Sequence, residues 1–273
     1  MIYGIRYAYF DLDGTIVPSN GKISNRTVLA ISYLKSKGIK IGIATGRNQF
    51  FTKPFMNTIE PDLPYVCVNG AVILDANFGI LKEELFPKSA YGVFDVLIEK
   101  NIPFLIYTRT GVFFNTYNHP FYEKLINIKT ILEIKDTFDF KCVENLDFYK
   151  NSDFYKILVS YEDESQKKEI ENFLDDFEDV SYASSQENVL DIYSKKADKS
   201  YGIKYVLDRL NKKTDSLIVF GDNENDNCTS HYRSGRHRKT SGLIRPRCHS
   251  PRHEFPPQRQ QRRGRLPLAR FHP

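Results

Sequence analysis

The stretch Tyr9-Phe10-Asp11-Leu12-Asp13-Gly14-Thr15 decides how this chain is read. It closes an apolar run, Ile5, Tyr7, Ala8, Tyr9 and Phe10, that reads as a buried strand ending in acids and a glycine. In an open α/β sheet, ligands sit where the carboxyl ends of strands meet such loops. Asp-x-Asp on extended backbone points its side chains in different directions, so one carboxylate can attack an electrophile while the other handles protons. Alone, the same stretch also fits an acidic turn in which Gly14 supplies a positive φ.

The sequence on either side adds alternating strands and helices up to about residue 82. Ser24 suits the cap of a helix carrying Val28, Ile31 and Leu34, which Gly38 closes. Ile39–Ala44 reads as the next strand and ends at Thr45-Gly46-Arg47; Tyr65–Val68 reads as a third, ends at Asn69-Gly70, and is followed by a short ribbon, Ala71–Leu74. This alternation predicts an α/β fold with a doubly wound, Rossmann-like parallel sheet. From 83 to 188 the texture changes to that of a separate α+β domain, with helix-like Tyr91–Lys100 and Glu164–Phe177 and strand-like Phe104–Tyr107 and Tyr155–Ser160. Val189–Tyr193 is expected to begin the return, followed by helix Ser200–Leu210 and strand Ser216–Phe220, which ends at Gly221-Asp222-Asn223-Glu224-Asn225-Asp226. The expected organisation is a discontinuous core, 1–82 and 189–227, with 83–188 inserted as a cap.

With 273 residues, 41% hydrophobic and 14% aromatic, the chain fits one large or two modest globular domains. No run has the length of a membrane helix, and the first ten residues lack the pattern of a signal peptide. Cys67, Cys142, Cys228 and Cys248 show no paired metal spacing, so a reducing cytoplasm is expected, with Cys67 in the core. The net charge of +5 divides unevenly: twelve basic residues and one acid lie after Asn227, so residues 1–227 carry −6. Residues 228–273 are rich in Arg and Pro and show no hydrophobic period, which predicts a disordered basic tail in place of the last core elements. A frameshift or a foreign fusion is the expected origin, with a genuine basic interaction tail as the rival.

Three strand ends therefore carry polar loops: Asp11/Asp13, Thr45-Gly46-Arg47 and Asp222/Asn225/Asp226. In a parallel sheet they share one edge. Three carboxylates together repel one another, and Mg²⁺ with a phosphate oxygen and waters resolves the conflict. Thr45 offers a hydroxyl and loop amides near a helix start, which suits phosphate. Lys199, one residue before a helix and after an acidic strand, can neutralise both nucleophile and phosphate.

These stretches resemble the motifs of the haloacid dehalogenase-like phosphohydrolases, in the Cof-type branch with a large α/β cap. Asp11-Leu12-Asp13-Gly14-Thr15, Ala44-Thr45-Gly46-Arg47, Asp198-Lys199 after Leu190-Asp191-Ile192, and Gly221–Asp226 match the four motifs in order. About 150 residues separate Thr45 from Lys199, which places the insertion as in the family's second cap class. The resemblance covers residues 1–227 and implies hydrolysis of small phosphorylated metabolites through an aspartyl-phosphate. It assigns nucleophilic attack to Asp11 and proton transfer to Asp13, and gives Mg²⁺ to Asp11, the Asp13 carbonyl and Asp222. Thr45, Gly46, Arg47, Lys199 and Asn225 would surround the phosphate, and Asp226 would help orient Lys199 and metal-bound water. A raised Asp13 pKa, caused by neighbouring negative charge, is part of that expectation.

Several residues keep two readings. Arg47 is either a surface residue at a helix start or a substrate contact, and Asn69 is read mainly as a turn former with Gly70. His119 is expected in a solvated cap loop, Phe113, Phe114, Tyr117, Phe121 and Tyr122 in the cap core, and the cap's Lys and Arg on solvated faces. The competing functions are a degenerate hydrolase fold with a nucleic-acid-binding tail, and a phosphotransferase or mutase on the same scaffold. The tail's arginines would bind phosphate backbone without base specificity, and no membrane partner is expected.

Overall fold

Every residue of β1 (Tyr7–Phe10) is both buried and apolar, as a strand covered on both faces must be. A computed structural model of the chain describes residues 4–131 and 138–221. Asp222, Asn225, Asp226 and the basic stretch 228–273 lie outside the described residues, and so does the expectation of a disordered tail.

Helix α1 (Asn25–Ser36) starts where Ser24 accepts from the Thr27 amide, and Gly38 at φ 77° turns the chain into β2 (Lys40–Ile43). Asn48 caps α2 (Gln49–Ile59) in the same way, accepting from the Phe51 amide, and β3 (Tyr65–Cys67), β4 (Val72–Leu74) and β5 (Ile80–Glu83) follow. The second block contains α3 (Val93–Glu99), β6 (Phe104–Thr108), β7 (Gly111–Phe114), α4 (Tyr122–Ile131) and β8 (Asp139–Cys142). It continues through α5 (Leu146–Asn151), β9 (Phe154–Ser160), α6 (Glu164–Leu174), β10 (Val180–Gln186) and β11 (Val189–Ser194). Asp198 caps α7 (Lys199–Arg209), and β12 (Leu217–Phe220) completes the described elements.

The strand register aligns the strand ends. β1 lies between β12 and β2, parallel to both, with Phe10 opposite Phe220 and Ile43. The Asp11 amide donates to Phe220 O and the Ala44 amide to Phe10 O, so the three strands finish in one row. A single parallel bridge, Ala44 to Val66, joins β2 to the antiparallel ribbon β3-β4-β5. Because the chain winds away from β1 in both directions, β1 marks the switch point where a doubly wound sheet opens a crevice.

The six-stranded sheet runs β10-β11-β9-β6-β7-β8, antiparallel except between β7 and β8. Here the structure differs from the sequence reading: β11 pairs with β9 and β10 instead of beginning the return to the core. Its Val189–Tyr193 pattern looks like that of any buried strand, so the pattern gave no indication of which sheet it would join. If this sheet is the inserted cap, as we propose, its far boundary falls after Ser194 rather than at 188. One face of the sheet, with Leu105, Tyr107, Phe114, Leu158, Val189 and Tyr193, shares an apolar cluster with the core. The other, with Ile106, Ile157, Val159, Leu190 and Ile192, packs with Phe94 and Leu97 of α3 and Ile170 and Leu174 of α6.

Two cap expectations change. His119 is buried at 3% exposure; its Nδ1 accepts from the Phe121 amide at 3.1 Å, and its ring meets Phe114 edge-on. Its flanking residues, Asn118 and Pro120, suggested a loop in water, but the turn tucks the ring under the aromatic cluster. Tyr117, expected in the cap core, is 63% exposed, whereas Phe113 and Phe114 are buried as expected. Cys67 lies in the core, where burial pushes its thiol up to about 12 and leaves it inert.

Between β3 and β4 the chain makes a tight turn in which Val68, Asn69 and Gly70 all have positive φ, 51°, 55° and 96°. Left-handed backbone is costly for a β-branched residue, so this turn persists only because its surroundings hold it. A Cβ on Gly70 would lie 2.2 Å from Asp198 O, so the glycine lets the turn sit against the start of α7.

Two expectations follow. Gly70→Ala should lower stability by about 1–3 kcal/mol through overpacking against Asp198, measured by urea unfolding; an unchanged midpoint would contradict the close packing. Burial lowers His119 from 6.5 to about 4, so the unfolded chain takes up the proton first as pH falls. Stability should therefore drop between pH 6.5 and 4 by on the order of 3 kcal/mol. His119→Gln should flatten that segment of the stability–pH curve, and an unaltered curve would place the titration elsewhere.

Candidate active site

Asp11 follows β1 directly and is 5% exposed; Lys199, the first residue of α7, is 3% exposed. Lys199 Nζ donates to Asp11 Oδ1 at 3.0 Å across 188 residues of sequence. Neither charge could stay in so dry a place without the other. Asp198 points the helix at the site by accepting from the Ser200 amide at 2.7 Å.

Asp13 and Arg47 form a second pair. Arg47 Nε and Nη2 reach the two Asp13 carboxylate oxygens at 2.7 and 2.6 Å. The guanidinium lies 4.9 Å over the Phe55 ring, and its Nη1 donates to Phe51 O at 3.4 Å. Arg47 is thus no solvated side chain at a helix start; α2 holds it over the acids. Among the described residues, the Asp13 carboxylate is hydrogen-bonded by this cation, and Asp222 and Asp226 lie outside them.

The Thr45-Gly46-Arg47 loop is pinned on several sides. The Thr45 amide donates to Val66 O at 2.8 Å, and the Arg47 amide to Thr45 Oγ1 at 3.2 Å. Thr45 O accepts from the Asn69 amide at 3.1 Å, and Arg47 O from the Val68 amide at 2.9 Å. Of the three loop amides, that of Gly46 has no acceptor among the described residues.

The six-stranded sheet reaches the same loop through residues that the sequence reading did not place in the site. Lys156 of β9 is 2% exposed, and its Nζ donates to Gly46 O at 3.1 Å and to Asp191 Oδ2 at 2.8 Å. The Asn69 side chain donates to the same Asp191 oxygen at 3.0 Å, so Asn69 does more than shape a turn. Tyr107 lies beneath Lys156, its ring centroid 4.8 Å from Nζ; burial raises the phenol's pKa, and the Asp191 charge adds to the shift. Burial holds Lys124 of α4 below the ordinary lysine range; Asp13 opposes that shift and Arg47 adds to it, so the start of α4 lies within electrostatic reach of the site. One local signal hinted at Lys156 and Asp191: each is a charged residue within an otherwise apolar strand run.

Among the described residues, no three His, Cys, Asp or Glu side chains gather to hold a metal, and no helix is long and apolar enough to cross a membrane. The all-oxygen donors of Asp11 and the Asp13 carbonyl, which accepts no backbone hydrogen bond among the described residues, fit a hard cation such as Mg²⁺. Asp222, expected to be the third donor, lies outside the described residues.

Known proteins share the sequence and fold of this chain. The sequence profile of the haloacid dehalogenase-like hydrolases matches residues 8–228. A Mycoplasma genitalium protein named "Putative phosphatase MG265" is 31% identical over 225 residues, covering 80% of this chain and 81% of the relative. A Bacillus subtilis protein named a 5-amino-6-(5-phospho-D-ribitylamino)uracil phosphatase is 33% identical over 99 residues, 36% of this chain and 34% of its own. Among solved structures, a haloacid dehalogenase-like hydrolase from Bacillus subtilis superposes with a TM-score of 0.71 at 21% identity, over 82% of this chain and 85% of the other. A subclass IIB sugar phosphatase, BT4131, gives a TM-score of 0.66 at 20% identity, over 81% and 82%. The chain belongs to the haloacid dehalogenase-like hydrolases.

Proposed function

We propose that the chain is a Mg²⁺-dependent phosphatase of small phosphorylated metabolites, acting through an aspartyl-phosphate on Asp11. The observation that carries this reading is the buried Asp11 carboxylate at the end of the central strand, held at 3.0 Å by Lys199 beside a loop with an open amide. Carboxylate is a nucleophile that needs no base, and a cation beside it offsets the repulsion of an arriving phosphate.

In this reading Asp11 forms a bond to phosphorus as the ester P–O bond breaks, and Asp13 supplies the proton that leaves with the alcohol. Water then forms a new P–O bond, the Asp11 oxygen departs and Asp13 takes the water's proton. Lys199, the Thr45 hydroxyl and the Gly46 amide hold the phosphoryl oxygens. An incoming phosphate competes with Asp13 for Arg47, and that exchange frees the carboxylate to carry the proton. Mg²⁺, held by Asp11, the Asp13 carbonyl and Asp222, would supply charge neutralisation between nucleophile and phosphate. Asn225 and Asp226 are proposed to complete the phosphate and Lys199 surroundings.

A sugar phosphate or similar metabolite is the proposed substrate, supported by the fold shared with a sugar phosphatase and by the partial match to a phosphatase of a phosphoribityl compound. Lys124 at the start of α4 is suited to an anionic or hydroxyl-rich leaving group. A cytoplasmic setting is part of the proposal and suits the free thiols of Cys67 and Cys142. Any contact with nucleic acid would come through residues 228–273.

Asp11→Asn should reduce hydrolysis of p-nitrophenyl phosphate in Mg²⁺ below about a thousandth while the circular dichroism spectrum is retained. Undiminished turnover in that variant would rule out covalent catalysis by Asp11. Lys199→Met should lose both activity and about 3–5 kcal/mol of stability, because it leaves a buried carboxylate without its cation. A fully stable Lys199→Met would contradict the pairing.

A further inference from the structure

The buried cap carboxylate Asp191 joins two groups that each fix one peptide plane of the Thr45–Arg47 loop. The first plane contains Thr45 O and the Gly46 amide. Its carbonyl edge is held by the Asn69 amide at 3.1 Å, which directs the Gly46 N–H toward the opposite side. The second plane contains Gly46 O and the Arg47 amide. Lys156 Nζ holds its carbonyl at 3.1 Å, and Thr45 Oγ1 holds its amide at 3.2 Å. The side chains of Asn69 and Lys156 then meet on one oxygen, Asp191 Oδ2, at 3.0 and 2.8 Å. Asn69 belongs to the core ribbon, Lys156 and Asp191 to two neighbouring strands of the cap sheet. The loop therefore has its full set of constraints only when the cap is seated.

Stability alone is a poor reason for this arrangement. Asp191 is 1% exposed, and its second oxygen, Oδ1, has no hydrogen-bond partner among the described residues. A buried carboxylate satisfied on one side only is worse for stability than a well-packed apolar side chain. Of the three residues, Lys156 and Asn69 hydrogen-bond the loop and Asp191 joins them, while the surrounding face of the sheet is otherwise largely apolar.

We propose that Asp191, with Lys156 and Asn69, is a positioning group that transmits cap seating to the Gly46 amide donor, so that the phosphate loop is set for an anion only under a seated cap. Asp191 touches no reacting atom in this account; it acts through the loop. The inference rests on the phosphatase reading for what the loop binds, but not for the coupling itself.

The test is made on the full chain with two variants. Lys156→Met/Asp191→Leu removes both charges and restores apolar packing; Asp191→Asn keeps the side-chain volume and removes one charge. Hydrogen exchange in the peptides covering residues 44–48 and 66–71 is compared with that in the outer cap strands, alongside binding of inorganic phosphate in Mg²⁺. The double variant should keep the wild-type melting temperature or exceed it. Its loop exchange should nevertheless be about tenfold faster and its phosphate binding about tenfold weaker, the size of an ordinary coupling between two sites. Asp191→Asn should show the same loop exchange, which covers the case of a double variant that fails to fold. If the chain hydrolyses p-nitrophenyl phosphate, KM should rise with kcat changed far less. Wild-type exchange at 44–48 in either folded variant would overturn the proposal and make the pair a packing feature only. A wild-type chain that neither binds phosphate nor hydrolyses the ester would remove the phosphatase reading, while the exchange comparison would still decide the coupling.

Discussion

The ion pair between Asp11 and Lys199 sets the demands that the rest of the core meets. Two opposite charges at 5% and 3% exposure cannot be buried unless each arrives at the other within hydrogen-bond distance. That requires β1 to end where α7 begins, although 188 residues separate them. The parallel register of β1 fixes the first end. The Gly70 turn against Asp198, together with the capping of α7, fixes the second.

Charge balance at the site follows one rule. Each described carboxylate there has one cation: Asp11 has Lys199, Asp13 has Arg47 and Asp191 has Lys156. The pairs differ in how tightly they are confined. The Asp13 side chain is 52% exposed and its arginine 15%, whereas the other two pairs are almost fully enclosed. Arg47 is therefore the cation that can change partners without leaving a charge stranded in a dry interior, and it is the one aimed at the open side. Lys199 and Lys156 are enclosed with their carboxylates and keep their places.

Much of this was legible in the sequence. The strand ends at Phe10 and Phe220 could be read, and that of β2 to within one residue, because an apolar run followed by acids, glycine or threonine is a local pattern. The helix start at Ser24 follows from capping, which depends on residues within one turn, whereas the last helix was read from Ser200 and begins one residue earlier, capped by Asp198. The pairing of Asp11 with Lys199 was expected from the motif order, and Arg47 was named with its partner left open. The roles of Asn69, Lys156 and Asp191 were not legible. Asp191 meets Lys156 from 35 residues away and Asn69 from 122, and no periodicity reports a contact of that range. The sheet membership of β11 was hidden for the same reason, since a buried strand carries no label for its neighbours. His119 was misplaced because its polar flanks described the loop and not the aromatic floor beneath it.

The left-handed turn at Val68–Gly70 also bears on the order in which the molecule can assemble. A valine at φ 51° is unfavourable in a free chain, so the turn cannot act as an early nucleus. Its supports are residues 45, 47 and 198, and the last of these is far away in sequence. By contrast β6–β7 and β10–β11 are hairpins whose strands are joined by very short connections. Loop closure favours those local pairings first, and the parallel crossovers of the core must follow. The strained turn can form only once residues 45, 47 and 198 are in place around it. A nascent chain would pass through most of its length with its hairpins formed and its chemistry still unassembled.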